Sequence, residues 1–385
     1  MGDRCCVTTY LLINYEYPPL GGGAATASKN LANALRRRGN RVVVLTSAYG
    51  RLRGISDEDG VIVTRIPALR KEIHQSSLVQ MAAFLWSACR GVVRVAKHYE
   101  VDRVIAFFSI PGGVVARWLQ LRCSTPYIVT VRGGDVPGTE PTLAHFYRTL
   151  TGLRRHIFRH ALEIVAPSSG LKLLSEAADP VLVRVIPNGV DTAIFSPARD
   201  QKGWPLLLLF VGRLHWQKNV PALLKLLQVL RSVCRLPAVA RMIGDGPERP
   251  KLEKFVEQNG LSEAISFDGW LTPAEIALAY RQAFLLINLS RYEGMSNVVL
   301  EALASGLPVI ASNILGNNEL IKDQETGFLF APDERPEKIA EQIVLLHQNP
   351  ERRKAMGIAA RESILDRYSW EKAGDLYERS FGSHS

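Results

Sequence analysis

The segment Ser290–Ser312, SRYEGMSNVVLEALASGLPVIAS, decides how the rest of the chain is read. An apolar strand, FLLINLS (Phe284–Ser290), runs into a loop holding Glu293 and Gly294. Ser296 and Asn297 then offer cap chemistry for a helix, VVLEALA, which Gly306 and Pro308 close before a second strand, PVIAS. Glu301 is the anomaly in that helix. Val298, Val299, Leu300, Ala302, Leu303 and Ala304 leave it no polar face. A carboxyl so placed either captures hydroxyl or amide donors or raises its pKa and becomes neutral. It also comes too late for a capping box, since the residue three after Asn297 is Leu300. Glu293 precedes Glu301 by eight positions; on one continuous helix the two would stand roughly 80° apart. Gly294 argues instead that Glu293 lies on the loop, at the mouth of a site whose floor holds Glu301. Backbone amides of Gly294, Met295, Ser296 and Asn297, at a helix start, favour an anion between the two carboxylates. A ligand with hydroxyls at both ends and phosphate in the middle fits that layout, and a nucleotide sugar is such a ligand.

The chain around this segment has 385 residues and 47% hydrophobic content, enough for two cores. MGDRCC leads straight into a strand, so no signal peptide is expected, and apolar runs such as Pro205–Val211 are far short of the roughly 20 residues of a membrane span. Cysteines stand at 5, 6, 89, 123 and 234 without metal-ligand spacing. Reduced thiols in a cytoplasmic protein are expected. Residues 1–200 hold 25 Lys+Arg against 15 Asp+Glu, and residues 201–385 hold 22 against 22, so the whole +10 excess is N-terminal. That half is expected to meet an anionic membrane surface, a lipid-linked phosphate or an anionic substrate; an Arg-rich solvated surface explains the excess equally well. No nucleic-acid motif accompanies the charge.

In order, CVTTYLLIN (Cys6–Asn14) is a strand, followed by Gly21, Gly22 and Gly23 and a helical pattern to Gly39. Glycines there let backbone amides approach a phosphate. A dinucleotide fingerprint is weak: Gly21 and Gly23 fit, but Thr26 takes the third position and no ribose-binding acid ends RVVVLTSA. Strands VIVTRI, VIAFF, YIVTV and EIVAP alternate with helical patterns such as SLVQMAAFLWSACRGVVRVA, which predicts a parallel sheet covered on both faces. After YIVTV, the loop RGGDVPG brings Arg132 as an anion contact and Asp135 as a hydroxyl acceptor on the acceptor side; a local Arg–Asp pair is the alternative. TGLRRHIFRH (Thr151–His160) reads as an ordinary amphipathic helix in preference to a membrane-facing one, and the acidic run Asp57–Asp59 as a solvated turn. FSPARDQKGWP (Phe195–Pro205) is the linker candidate. A second strand–helix series begins at LLLLFVG. Gly212, Arg213 and Lys218 follow its first strand and suit a pyrophosphate, Arg by bidentate bonds and Lys as a point charge. AVARMIG with Gly244 and ISFDGW with Trp270 follow, and SWEKAGDLYERSF (Ser369–Phe381) is a last helix with nothing of its own series left to cover.

PPLGGG, PNGVD, VGRLHWQKN, IGDGP and above all EGMSNVVLEALASGLPVIAS resemble the GT-B retaining glycosyltransferases of the family 4 type, nearly over the whole chain and most strongly from Pro187 to Phe330. The resemblance implies an α/β fold of two Rossmann-like parallel-sheet domains facing across a cleft. Residues 1–196 would bind the acceptor, 204–365 the nucleotide sugar, and 366–385 would form a helix crossing back to the first domain. It implies that Glu301 holds the ribose hydroxyls, Glu293 the donor sugar, and Arg213 and Lys218 the diphosphate. Gly22 and Gly23 would approach the donor from the opposite domain, the amides of Met295, Ser296, Asn297 and Val298 would add to the phosphate site, and Gly212, Gly244, Gly294 and Trp270 would also lie in the donor site. Many relatives have His where this chain has Arg132, and a fixed cation there cannot act as a base. The expected donor is UDP-linked, the acceptor a glycan, a lipid-linked saccharide or a small molecule, and no metal or other cofactor is needed. An epimerase or hydrolase of the same fold, or a non-catalytic nucleotide-sugar binder, remains open.

Overall fold

The computed structural model describes residues 7–73, 76–139, 148–198, 206–365 and 367–382. The chain forms two compact units, one running to Gly189 and resuming at Trp370, the other spanning Val190–Ser369.

The first unit runs β1 (Thr9–Ile13), α1 (Gly23–Arg37), β2 (Arg41–Ser47), β3 (Gly54–Glu58), β4 (Val61–Ile66), α2 (Leu78–Tyr99), β5 (Arg103–Phe107), α3 (Val114–Cys123), β6 (Tyr127–Thr130), α4 (Thr151–His160), β7 (Glu163–Ala166), α5 (Ser169–Ala178) and β8 (Val183–Val185). Its sheet has the order β3-β4-β2-β1-β5-β6-β7-β8, parallel except where β3 pairs antiparallel with β4. The central strands are apolar on both faces, as a doubly covered parallel sheet requires: every residue of β1 is buried. One face packs on α2, α3 and α4 through Phe84, Ala88, Val92, Leu119, Ile157 and Phe158. α2 starts on a Ser77–Gln80 capping box, which settles where its long apolar pattern begins. By length and composition alone α2 could cross a membrane, which the survey of apolar runs did not anticipate, yet its Phe84–Ala96 stripe lies in this core.

The other face packs on α1 and on a helix that returns from the far end of the chain, α12 in chain order (Trp370–Gly382). Trp370, Ala373, Tyr377 and Phe381 recur at helical spacing and are buried there. Arg37 pairs with Glu371 at 2.7 Å, and Arg38 with Asp375 and Glu378 at 3.0 and 2.6 Å. The two helices pack closely at Gly374, where a Cβ would stand in ordinary contact, 3.5 Å from that of Ala34.

The second unit runs β9 (Leu207–Val211), α6 (Val220–Ser232), β10 (Val239–Ile243), α7 (Arg249–Gln258), β11 (Ile265–Gly269), α8 (Pro273–Gln282), β12 (Leu285–Asn288), α9 (Asn297–Ala304), β13 (Val309–Ser312), β14 (Gly327–Phe330), α10 (Pro336–Gln348) and α11 (Pro350–Leu365). Its sheet, β11-β10-β9-β12-β13-β14, is wholly parallel. Leu208 and Phe210 face one core, Leu209 and Val211 the other, by the two-residue alternation of a strand.

Two sequence readings change. The division falls at Gly189/Val190, ahead of the segment read as a linker, because Phe195 is buried in the second unit's core against Tyr280; positions 199–205 of that segment lie outside the described residues, as do Cys5 and Cys6. Asp57 and Glu58 are in the edge strand β3, with only Asp59 in the left-handed turn before Gly60. Glu58 there pairs with Arg65 at 2.6 Å.

Candidate donor site

The opening segment folds as β12, a loop, α9 and β13, and the loop leaves the carboxyl end of the sheet, where open α/β folds place their ligands. Glu293 lies on that loop. Its Oε1 accepts from Lys218 Nζ at 2.5 Å and from Ser290 Oγ at 2.8 Å, and its side chain is only 8% exposed. Lys218 is delivered by the loop after β9, at the end of a short helical turn, Trp216–Lys218. The two loops are laced together: Arg291 N donates to Gln217 O at 2.8 Å, Gln217 Nε2 to Tyr292 O at 3.0 Å, and the rings of Trp216 and Tyr292 meet at a tilt, 5.7 Å apart. Gly212, with φ of +143°, begins this loop, and the Lys218 stem passes over it. Arg213 is the next residue, half-buried.

Gly244 belongs to the packing of these loops. Its φ is +124° and a Cβ would fall 2.0 Å from Gly212 O, so the loop after β10 lies directly on the loop after β9. The Gly244 amide donates to Gly269 O at 2.7 Å, which ties in the end of β11. Trp270, the next residue but 44% exposed, stands beyond that point. Gly316, which sequence reasoning missed, closes the other side: at φ of +89° a Cβ would come within 2.9 Å of Glu293 O and Gly294 O. Nothing in the spacing GNNELI signals this contact, because the neighbour is 22 residues away in sequence.

Glu301 sits on α9 among buried Val299, Leu300, Ala302 and Leu303. It resolves its burial in both ways the sequence allows. Tyr280 OH, from α8, donates to Oε2 at 3.0 Å, and burial pushes the carboxyl up to about 7 against the lowering effect of that bond. The phenol is pushed well above its ordinary value by burial and by Glu301. Tyr280 was not singled out from the sequence. The signal was a tyrosine on the buried stripe of PAEIALAYRQ, where a phenolic tip needs a partner. Ser296 stands at the N-cap position of α9, but its side chain makes no cap bond; Oγ accepts instead from buried Asn288 Nδ2 at 3.0 Å. That hydroxyl thus fixes the loop to the end of β12. Gly294, Met295, Asn297 and Val298 continue the same turn into the helix.

The remaining sequence candidates belong to the first unit. Gly22 and Gly23 are exposed at the start of α1, past the end of β1, and space is open where a Gly22 Cβ would be. Asn14 holds this turn: Nδ2 donates to Ser28 Oγ at 3.1 Å and Oδ1 accepts from Glu16 N at 3.1 Å. Arg132 follows β6, with NH1 donating to Asn188 Oδ1 at 2.7 Å and its guanidinium 4.6 Å from the Phe107 ring centre. Burial lowers its pKa from the ordinary value, though a guanidinium does not deprotonate in proteins. The Asp135 expectation needs correcting. Its side chain is fully buried, and its oxygens accept from Ser109 N at 2.6 Å and Arg132 N at 2.9 Å. It is a backbone clamp inside the unit and not an exposed hydroxyl acceptor, and its local pairing with Arg132 runs through that residue's amide.

Among the described residues no three His, Cys, Asp or Glu side chains gather as metal ligands. The second unit offers a cation, two carboxyls of different character and glycine-lined loops at one sheet end.

Residues 22–189 match the glycosyl transferase 4-like domain, and residues 194–363 match glycosyl transferases group 1. A GDP-mannose-dependent alpha-mannosyltransferase of Mycobacterium tuberculosis is 28% identical over 95% of this chain and 94% of its own. Among solved structures, sucrose-phosphate synthase of Thermosynechococcus elongatus superposes with a TM-score of 0.84 at 20% identity, covering 98% of this chain and all of that one. Anabaena HepE in complex with UDP and glucose superposes with a TM-score of 0.77 at 20% identity, covering 97% and 99%. The chain is a glycosyltransferase of GT-B fold that takes its sugar from a nucleotide sugar, and it belongs to the group 1, family 4 type.

Proposed function

We propose that the chain is a retaining hexosyltransferase using a UDP-linked sugar and a glycan, lipid-linked saccharide or small-molecule acceptor, in the cytoplasm and in service of envelope polysaccharide synthesis. The observation that carries the donor half is the Lys218–Glu293–Ser290 contact set on the loops after β9 and β12 at one sheet end, with Glu301 buried on the helix that follows. Glu301 accepts from the ribose hydroxyls, its ionised form being the better acceptor. Glu293 accepts from the sugar hydroxyls, and Lys218 and Arg213 face the diphosphate. UDP in the HepE structure supports the choice of nucleotide; the GDP-mannose enzyme is the relative that argues for testing others.

In the reaction the bond from the anomeric carbon to the diphosphate oxygen breaks. The acceptor oxygen bonds to that carbon from the same face, and the acceptor proton passes to the departing diphosphate. Lys218 and Arg213 stabilise the charge that develops on the leaving oxygen, the kind of fixed electrostatic contribution that dominates many such steps. A binding role for Gly22 and Gly23 toward the donor and a charge-stabilising role for Arg132 belong to the same reading, which needs no metal. The test is a panel of nucleotide sugars offered to the purified protein with a cell extract as acceptor source, scored by mass spectrometry. Acceptor-dependent release of UDP with a glycosylated product is the expected result. Release without acceptor, or an epimerised donor, would overturn it.

A further inference from the structure

Three helices on one face of the first unit carry cations and no acids. α2, α3 and α4 lie side by side there: Trp118 Nε1 donates to Cys89 O at 2.9 Å, and Arg117 Nε contacts His156 Nε2 at 3.3 Å. None of the three helices contains an aspartate or glutamate. Buried Arg154 and half-exposed Arg155 are both spent on Asp179. Among the described residues, Arg90, Arg94, Lys97, Arg117, Arg122 and Arg159 take part in no ion pair. On the opposite face Arg37 and Arg38 are neutralised by α12, while Lys29 and Arg36 of α1 take part in no ion pair among the described residues. The neighbouring helix α5 pairs its one cation, Lys172, with Glu176.

Apolar side chains stand out between these cations. Val79 is 70% exposed, Trp86 64% and Leu121 59%. Trp86, Arg90, Arg94 and Lys97 follow one another at helical spacing along the outer side of α2. Arg90 lies over the Trp86 ring at 4.4 Å and Arg122 over Trp118 at 4.2 Å. Polyanions would use the cations alone, and an apolar protein groove would leave six charges without partners. A bilayer interface uses both, the cations at anionic headgroups and Trp, Val and Leu at the acyl boundary.

We propose that the outer face of α2, α3 and α4 docks on an anionic lipid bilayer. Vesicle binding by the full chain tests it and is read without any donor, so its failure leaves the transferase reading untouched. Flotation with equimolar phosphatidylcholine–phosphatidylglycerol vesicles should recover the protein, and phosphatidylcholine vesicles should not. Arg94→Gln, Lys97→Gln and Arg159→Gln together should weaken partitioning about 100-fold at low salt. Trp86→Ser alone should weaken it most visibly at high salt, where headgroup attraction is screened. An unchanged thermal melt and unchanged UDP binding show that each variant is folded. Equal partition of the triple variant, equal binding to both vesicle types, or no vesicle binding with a dimer that Trp86→Ser dissolves, would each overturn the assignment.

Discussion

The carboxyl ends of the two sheets spend their charged side chains differently. In the second unit Glu293 is met by Lys218 and Ser290, and Glu301 by Tyr280, all of them side-chain partners. In the first unit Asp135 is met by two backbone amides, and Arg132 by Asn188 and an aromatic ring. A side-chain partner can be exchanged for a ligand group at modest cost. A buried amide cannot, because leaving it unpaired costs the full desolvation of the group. The difference teaches which carboxylates are offered to substrate and which are building material, although both follow a strand in a glycine-containing loop.

Substitutions at four positions would sharpen or break that contrast. Lys218→Ala should lower turnover by about 10²–10³, the range for removing one preorganised donor to developing charge, with a smaller loss in nucleotide affinity by calorimetry. An unchanged rate would remove the electrostatic account. Glu301→Ala should weaken nucleotide binding about 10–100-fold, as for hydrogen bonds to a charged group. Because the Glu301 carboxyl is raised to about 7, nucleotide affinity should climb between pH 6 and 8, and Glu301→Gln should flatten that climb. The sign for the unliganded fold is opposite. A carboxyl raised from 4.5 to about 7 contributes stability that is full below 4.5 and is lost as pH rises through 7.

Asp135→Asn should cost about 1–3 kcal/mol of unfolding free energy, since an amide nitrogen would face a backbone donor, while UDP affinity stays as it was. Unchanged stability with impaired turnover would restore Asp135 to the acceptor side. The smallest effect belongs to Tyr280→Phe. Removing its hydroxyl takes away the bond that lowers the Glu301 carboxyl. The midpoint of the affinity–pH curve should move upward, and affinity at pH 7 should fall about fivefold, the value of one ordinary hydrogen bond.

Much of this was legible in the chain. The strand–loop–helix–strand reading of Ser290–Ser312, the loop position of Glu293 and the isolation of Glu301 among apolar neighbours all follow from spacing, and the structure repeats them. What stayed hidden was long-range or tip-directed. Periodicity puts Tyr280 on a buried face but does not say which carboxyl its hydroxyl reaches, 21 residues on. It offers Ser296 as a cap without revealing that Asn288 has claimed it. Asp135 misled for the same reason: a loop acid after a strand looks alike whether it faces solvent or two buried amides.

The helix Trp370–Gly382 has a consequence for how the molecule is made. Its tryptophan, tyrosine and phenylalanine complete the layer over Leu31, Leu35 and β1, yet the ribosome delivers them only after the whole of Val190–Ser369. The unit that emerges first from the exit tunnel is therefore the one sealed last, and until then its α1 flank is bare greasy surface for a chaperone to hold.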